Sequence, residues 1–519
     1  MPASIKEAVA LLLLALCWAA TLTCSCLLVS ISPLVAQILG ASEALAPFTC
    51  GAFLLGAALA SLPSTFLFSA FGRRGGFLFG ALCGIAGGAL GLIALRFSLP
   101  AVAFFISCAL IGLAQGFGQF YRFAAFEVAP SRKPVAMALV LSGGVIAAFA
   151  GPQLALLTAP QTATASASEF EGSFIAMMAL HLLNGILSAC ACLPPPGGQP
   201  TSPPDNRNAP LLADDGQQAA AAAKAAALAG DPPPRPTAST TIASSSNTPL
   251  HYNPWAPRPR HRSLHRILLQ PQCLVAIGIG AASQTMMVVL MSPLALVMED
   301  DGFKASTRTL TYELHFASMY APGLISGRLL SWLGTFKSAA LGTALLAASC
   351  AVLGTGASDG LHYMLGMSLC GLGWHLCFSA ATLLLDETHS QREATNVQAA
   401  NDLFVYLASA IGSFGSGYLY AAKGRRFLVY LAAGLTAMLV PLLLAHGCCA
   451  WRKRRMQRIN EELAEANAAA DAAWAAQVTA SMAAVVGSSA EPEDDEPVTP
   501  QLHWVLSGRR SPPSVRQTE

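Results

Sequence analysis

Residues 8–31 read AVALLLLALCWAATLTCSCLLVSI, 24 positions without one charged side chain. At about 1.5 Å per residue, a helix of that length crosses a hydrocarbon layer about 30 Å thick. The run begins after Lys6 and Glu7 and is longer than the apolar core of a signal peptide, and a second apolar run follows closely. It therefore reads as a retained first span.

Working outward, eleven more segments of similar size appear, so the spans fall near 8–31, 45–68, 77–96, 101–122, 135–157, 173–193, 272–298, 309–332, 338–357, 361–384, 395–420 and 427–449. The composition agrees. Of 519 residues, 54% are hydrophobic and 11% charged, whereas a soluble protein of this size carries about 130 charged side chains. Soluble enzymes and nucleic-acid binders are excluded on that ground. All 14 cysteines lie in apolar segments or at their ends, which argues against a disulfide framework.

Between the sixth and seventh spans the composition changes. Residues 194–271 hold 16 of the 33 prolines, an alanine run and a Ser/Thr cluster, the signature of a disordered linker. The chain thus divides into a six-span half over 1–193, a linker over 194–271, a second six-span half over 272–449 and a hydrophilic tail over 450–519. The tail reads as largely disordered with one Ala-rich helix, about 456–484. Lys and Arg gather at Arg73 and Arg74, at Arg132 and Lys133, in the linker, at Lys337, at Arg392 and in the tail, which puts both termini and the linker on the cytoplasmic side. Lys423, Arg425 and Arg426 break that rule.

The two halves repeat at a shift of about 260 residues. Ser32-Pro33-Leu34 returns as Ser292-Pro293-Leu294; Ser69, Gly72 and Gly80 return as Ser331, Gly334 and Gly342; Leu110-Ile111-Gly112-Leu113 returns as Leu369-Cys370-Gly371-Leu372. Glu127 and Asp386 hold matching places, as do Arg132 and Arg392. Two parallel six-helix repeats joined by a long linker resemble the major facilitator superfamily. That resemblance implies an all-α membrane protein of twelve helices in two pseudo-symmetric halves. Gly72-Arg73-Arg74 is similar to the end of that family's loop motif after span two, while Thr65, Ser69 and Ala70 replace its Gly, Asp and Arg. Gln119-Phe120-Tyr121-Arg122, His315, Met319-Tyr320-Ala321-Pro322, Gly373-Trp374 and Asn401-Asp402 look like a mainly bacterial subgroup of facilitators whose substrate is unknown.

Ionisable and amide side chains inside spans cost several kcal/mol when they face lipid, so they point to a pathway or to a partner. Gln115, Gln119, Gln284, His315, Trp374, His375 and Asn401 are the candidate substrate contacts, since an aromatic face with amide and imidazole groups suits a small organic solute. Asp402, His315 and Glu313 are the candidate proton carriers. Arg73, Arg74, Arg122, Glu127, Asp386 and Arg392 are placed at a cytoplasmic gate. For each of these the competing reading is helix packing or an inter-helix hydrogen bond. Arg258, Arg260, Arg262 and Arg266 precede span seven, where anionic lipid headgroups are the expected partners.

No P-loop, metal cluster or nucleophile elbow is present, so no enzyme activity, cofactor or metal is expected. The reading is a monomeric secondary or facilitative transporter of a small organic solute, by alternating access and with proton coupling as an option. A membrane sensor or scaffold acting through linker and tail is the alternative.

Overall fold

A computed structural model describes residues 3–129, 132–158, 167–191, 193, 262–355, 359–390 and 393–488. The described elements are helical throughout: α1 Ala3–Ile38, α2 Phe48–Arg96, α3 Ala101–Gly118, α4 Tyr121–Val128, α5 Lys133–Thr158 and α6 Glu171–Cys190, with a 3-10 turn before α6. After the linker come α7 Leu264–Leu268, α8 Pro271–Met291, α9 Leu294–Asp300, α10 Ala305–Tyr320, α11 Gly323–Gly354, α12 Gly360–Asp386, α13 Ala394–Lys423, α14 Arg425–Ala437 and α15 Leu439–Ser488. The chain forms two compact units, Met1–Cys449 and Ala450–Glu519. The expected linker lies outside the described residues as far as His261.

Among the described residues ten helices are long and apolar enough to cross a membrane. The chain is an integral multi-pass membrane protein. Two expected spans fall outside the ten. Near 45–68 the apolar helix Phe48–Ser61 is shorter. Over 309–332 the polar α10 buries Arg308, Glu313 and His315 instead of presenting an apolar face.

Several expected breaks take another form. Spans two and three share one helix, α2, interrupted at Gly72 with φ 69°; α11 is interrupted in the same way at Gly334 with φ 75°. That backbone region excludes most side chains, so glycine alone supplies the reversal without strain. Span seven is divided into α8 and α9 at Ser292-Pro293, since proline at 293 removes a helix hydrogen bond.

The repeat extends into backbone geometry. Gly72 and Gly334 are 262 residues apart, and so are Gly40 and Gly302, which turn the chain at φ 85° and 80°. A β-carbon at Gly112 would overlap the Phe53 carbonyl oxygen, and one at Gly371 would crowd the His315 carbonyl oxygen, so equivalent helices make a close backbone approach at a glycine in both halves. Ser107 donates to the Gly87 carbonyl at 2.7 Å, and Ser349 donates to the Gly366 carbonyl at 2.7 Å. These are matching contacts with donor and acceptor helices exchanged.

The halves meet through α5 against α10 on one side and through α2 against α13 on another. At the end that holds residues 39–47 the seam is tight. Ser413 donates to the Pro47 carbonyl at 3.0 Å, and the Phe48 and Phe414 rings lie 4.7 Å apart. Gly51 leaves room for the Phe414 ring, which a β-carbon there would strike. At that same end Arg425 pairs with Asp301 and bonds Tyr363 at 2.9 Å, so this basic residue, an exception to the loop-charge pattern, is matched by an acid.

Candidate functional site

Four elements carry the amide and aromatic candidates. In the first half, Ser25 of α1 donates to the Gln115 amide oxygen of α3 at 2.8 Å, so Gln115 is buried with a fixed orientation. Gln119 caps α3 and is half-buried. In the second half the Trp374 indole N–H of α12 donates to the Gln284 amide oxygen of α8. The Trp374 ring stacks on Phe378 at 5.0 Å with 22° between planes. An indole so held is a rigid flat surface, and its hydrogen bond settles which way it faces.

His315 of α10 and His375 of α12 form a reciprocal clasp. His315 Nδ1 meets the Met367 carbonyl at 2.8 Å, and His375 Nδ1 meets the Met319 carbonyl at 2.7 Å. A carbonyl only accepts, so each Nδ1 carries the proton and each Nε2 of a neutral ring is a bare acceptor. Both Nε2 atoms are buried without a hydrogen-bond partner. Either ring could take a proton at Nε2 and keep its clasp.

Beside the Ser413–Pro47 bond, two pairs of polar side chains among the described residues link the halves. Arg122 Nη2 of α4 lies 3.6 Å from Asp402 Oδ2 of α13, and the Asn401 amide donates to the other oxygen at 3.1 Å. The same guanidinium sits 4.9 Å over the Phe123 ring, a cation–π contact that helps hold it in place. Nearer the sealed end, Gln153 of α5 donates to the Glu313 carboxylate of α10 at 2.6 Å. Sequence placed Arg122 with the gate and Asp402 with proton transfer; the fold makes them one pair.

The sequence pattern of the Major Facilitator Superfamily matches residues 12–413. The chain belongs to the Major Facilitator Superfamily. It is a membrane transporter and not an enzyme. Among curated relatives it is similar to the riboflavin transporter RfnT of Brucella anthropi, 27% identical over 420 residues that cover 80% of this chain and 91% of the relative. It also resembles the uncharacterised transporter YddS of Bacillus subtilis, 30% identical over 36% of this chain and 41% of that one. The fold is similar to a crystal structure of the peptide transporter POT in complex with sulfate, with a TM-score of 0.55 and 15% identity, covering 83% of this chain and 94% of that one.

Within this superfamily frame the gate candidates separate. Arg73 pairs with Glu127 at 2.7 Å and lies 5.0 Å over Phe68, while Arg74 donates to the Ala191 carbonyl at 2.8 Å. All of these stay in the first half. Glu127 therefore pairs with Arg73 rather than with Arg122. In the second half Asp386 is exposed, and Arg392 lies outside the described residues. The place of a paired acid there is taken by Glu393, which accepts from Arg262 at 2.7 Å and from Ser390. The Arg262 guanidinium, with help from the Ser390 N–H, holds the Glu393 carboxyl down at about 2. Arg262 is thus tied to a protein acid, a departure from the lipid-headgroup role expected of it. Arg266 is exposed, and Arg258 and Arg260 lie outside the described residues.

Sequence reasoning missed two features. Gln153 follows Gly151-Pro152, and an amide at that depth in a span was a signal in itself. The other is a buried network across α1, α4 and α6: Tyr121 donates to Asn184 at 2.8 Å, Asn184 donates to Thr21 at 2.8 Å, and Ser188 lies 3.2 Å from the Tyr121 hydroxyl. It locks the first half as one body, since any member removed leaves the others unsatisfied in an apolar interior.

Proposed function

We propose that the chain carries riboflavin or a close flavin analogue across its membrane, by rocking its halves about a site between them. The observation that carries this reading is the near end-to-end likeness to a riboflavin transporter, 91% of whose length is matched. The chemistry of the candidate site supports it. A flavin is a planar tricycle with an imide edge and a hydroxylated chain, and it needs a flat aromatic wall and several amide or hydroxyl groups. Trp374, stacked on Phe378 and oriented by Gln284, supplies the wall; Gln115, Ser25 and Asn401 supply polar contacts.

Energy for accumulation would come from a proton taken up at Asp402. Protonating that carboxylate removes its attraction for Arg122 across the halves, which frees the seam where a transporter must open. Glu313 is a secondary carrier on the same reasoning, because its carboxylate accepts from Gln153 across the halves, and His315 is another through its buried, unpartnered Nε2. Uptake of labelled riboflavin into proteoliposomes containing the purified protein tests the substrate. Saturable uptake abolished by Trp374→Ala supports it; absence of flavin uptake by protein that transports another solute rejects it.

A further inference from the structure

In the second half, α11 and α14 leave between them a groove of about 490 Å³, and none of its lining residues belongs to the candidate site. Thr343, Ala347, Ala351 and Gly354 of α11 face Ala433 and Ala437 of α14 across it. Steps of three and four residues keep each set on one side of its helix, and side chains this small leave the gap open. The Thr343 hydroxyl donates to the Ala339 carbonyl at 2.8 Å, and that of Thr436, also in the wall, donates to the Ala432 carbonyl at 2.9 Å. Both bonds stay inside their own helices. A hydroxylated solute such as a flavin would find no free donor there, so the groove suits an apolar occupant.

Length and width say which one. From Thr343 to Gly354 the helix rises about 16 Å, about half of a 30 Å hydrocarbon core. The Gly354 end lies at the interface, since α11 stops there and α14 starts at Arg425. The groove therefore spans one leaflet, the reach of an acyl chain, whereas a helix of a second copy would cross both. Spread over that length, the volume leaves a section about 6 Å across, and a helix with its side chains needs about 10 Å.

Charge at the interface end completes the match. Arg426 is exposed and has no partner among the described residues. At about 100° per residue, Tyr430, Ala433 and Ala437 all lie within about 40° of it, so the guanidinium stands over the mouth of the groove. Tyr430, 68% exposed and part of the wall, puts an amphipathic ring where interfacial aromatics belong. Lys423, exposed on the other side of Gly424, adds a second positive charge. Acids at the same end are engaged: Asp301 with Arg425, Asp300 with Tyr420, and Asp359 with the His362 N–H at 2.9 Å.

We propose that this groove holds one acyl chain of an anionic phospholipid, with Arg426 on the lipid's phosphate and Lys423 beside the headgroup. Arg426 and Lys423, which break the loop-charge pattern, thereby have a reason to sit at this end. The lipid fills the gap between α11 and α14 and is a structural ligand of the second half, whatever solute the protein carries.

Native mass spectrometry of the delipidated full-length protein tests this with phosphatidylserine and phosphatidylcholine of identical chains. One phosphatidylserine is retained about ten-fold or more strongly than phosphatidylcholine, and Arg426→Gln removes the difference. Ala433→Phe fills the groove and loses both lipids, with a melting temperature no lower than the parent's as the sign that it is folded. Phosphatidylserine carrying a diazirine on its chain labels 343–354 and 429–440 of the parent, which decides the matter even where the filled variant does not fold. Equal retention of the two lipids, or labelling confined to other segments, overturns the proposal. So does a folded Ala433→Phe that keeps its lipid and turns a dimer into a monomer, an outcome that assigns the groove to a second copy.

Discussion

Arg122 and Asp402 lie 3.6 Å apart although 280 residues of sequence separate them, and they belong to opposite halves of the transporter. Their contact reports on whether the halves are together. Each has a neighbour in its own half, Phe123 under the guanidinium and Asn401 beside the carboxylate, so each stays oriented when the other moves away.

Asp402→Asn removes the charge and leaves Arg122 buried. Breaking a buried pair costs about 3 kcal/mol of stability, visible as a lower melting temperature in detergent. Uphill flavin accumulation is lost, while counterflow exchange across the same vesicles persists. Adding Arg122→Gln to that variant recovers most of the stability without restoring accumulation.

Trp374→Phe keeps an aromatic face but loses the N–H to Gln284. The outcome expected is a three- to ten-fold rise in KM, about 1 kcal/mol, with maximal rate little changed. Trp374→Ala removes the wall and abolishes saturable uptake.

Gly334→Ala places a β-carbon at φ 75° and strains the break inside α11 by about 1–3 kcal/mol. Gly323→Ala, whose β-carbon would meet the His375 ring at an ordinary 3.7 Å, serves as the control and leaves the melting temperature within a degree or two.

The Glu393–Arg262 pair is a pH-dependent fastening. Glu393 is held at about 2 against an ordinary 4.5, so folding favours its ionised form and the gain is complete above the ordinary carboxyl range. It fades as pH falls from 4.5 toward 2. Melting temperatures of the parent and of Glu393→Gln should differ at neutral pH and converge along that descent. Because the Arg262 side of the pair is open to solvent, the difference is small and shrinks with salt.

Tyr121→Phe deletes the hydroxyl shared by Asn184 and Ser188. The loss of stability is about 1–3 kcal/mol, since the Asn184 oxygen is left buried with less satisfaction. Differential scanning fluorimetry reads it directly.

The architecture was legible because its determinants are local or periodic. Apolar runs of bilayer length announce spans, and Gly72 and Gly334 announced the repeat because only glycine takes that backbone turn. Gly40 and Gly302 carried the same information, but nothing in the neighbouring letters separates them from other glycines. The site was legible only as a set of residue types. Trp374 with Gln284, and Arg122 with Asp402, are contacts between segments 90 and 280 residues apart, and sequence spacing holds no trace of which polar group closes on which. Arg262 shows the same limit. Its charge near a span fitted the membrane surface, and a glutamate 131 residues later took it instead.

The exchanged hydroxyls at Ser107 and Ser349 carry a consequence for engineering the two halves. Serine stands in each half where the other has glycine, yet the two helices are bridged at the same 2.7 Å in both. Swapping Ser and Gly at both positions of one half would therefore convert its bridge into the other half's form, whereas changing a single position would break it.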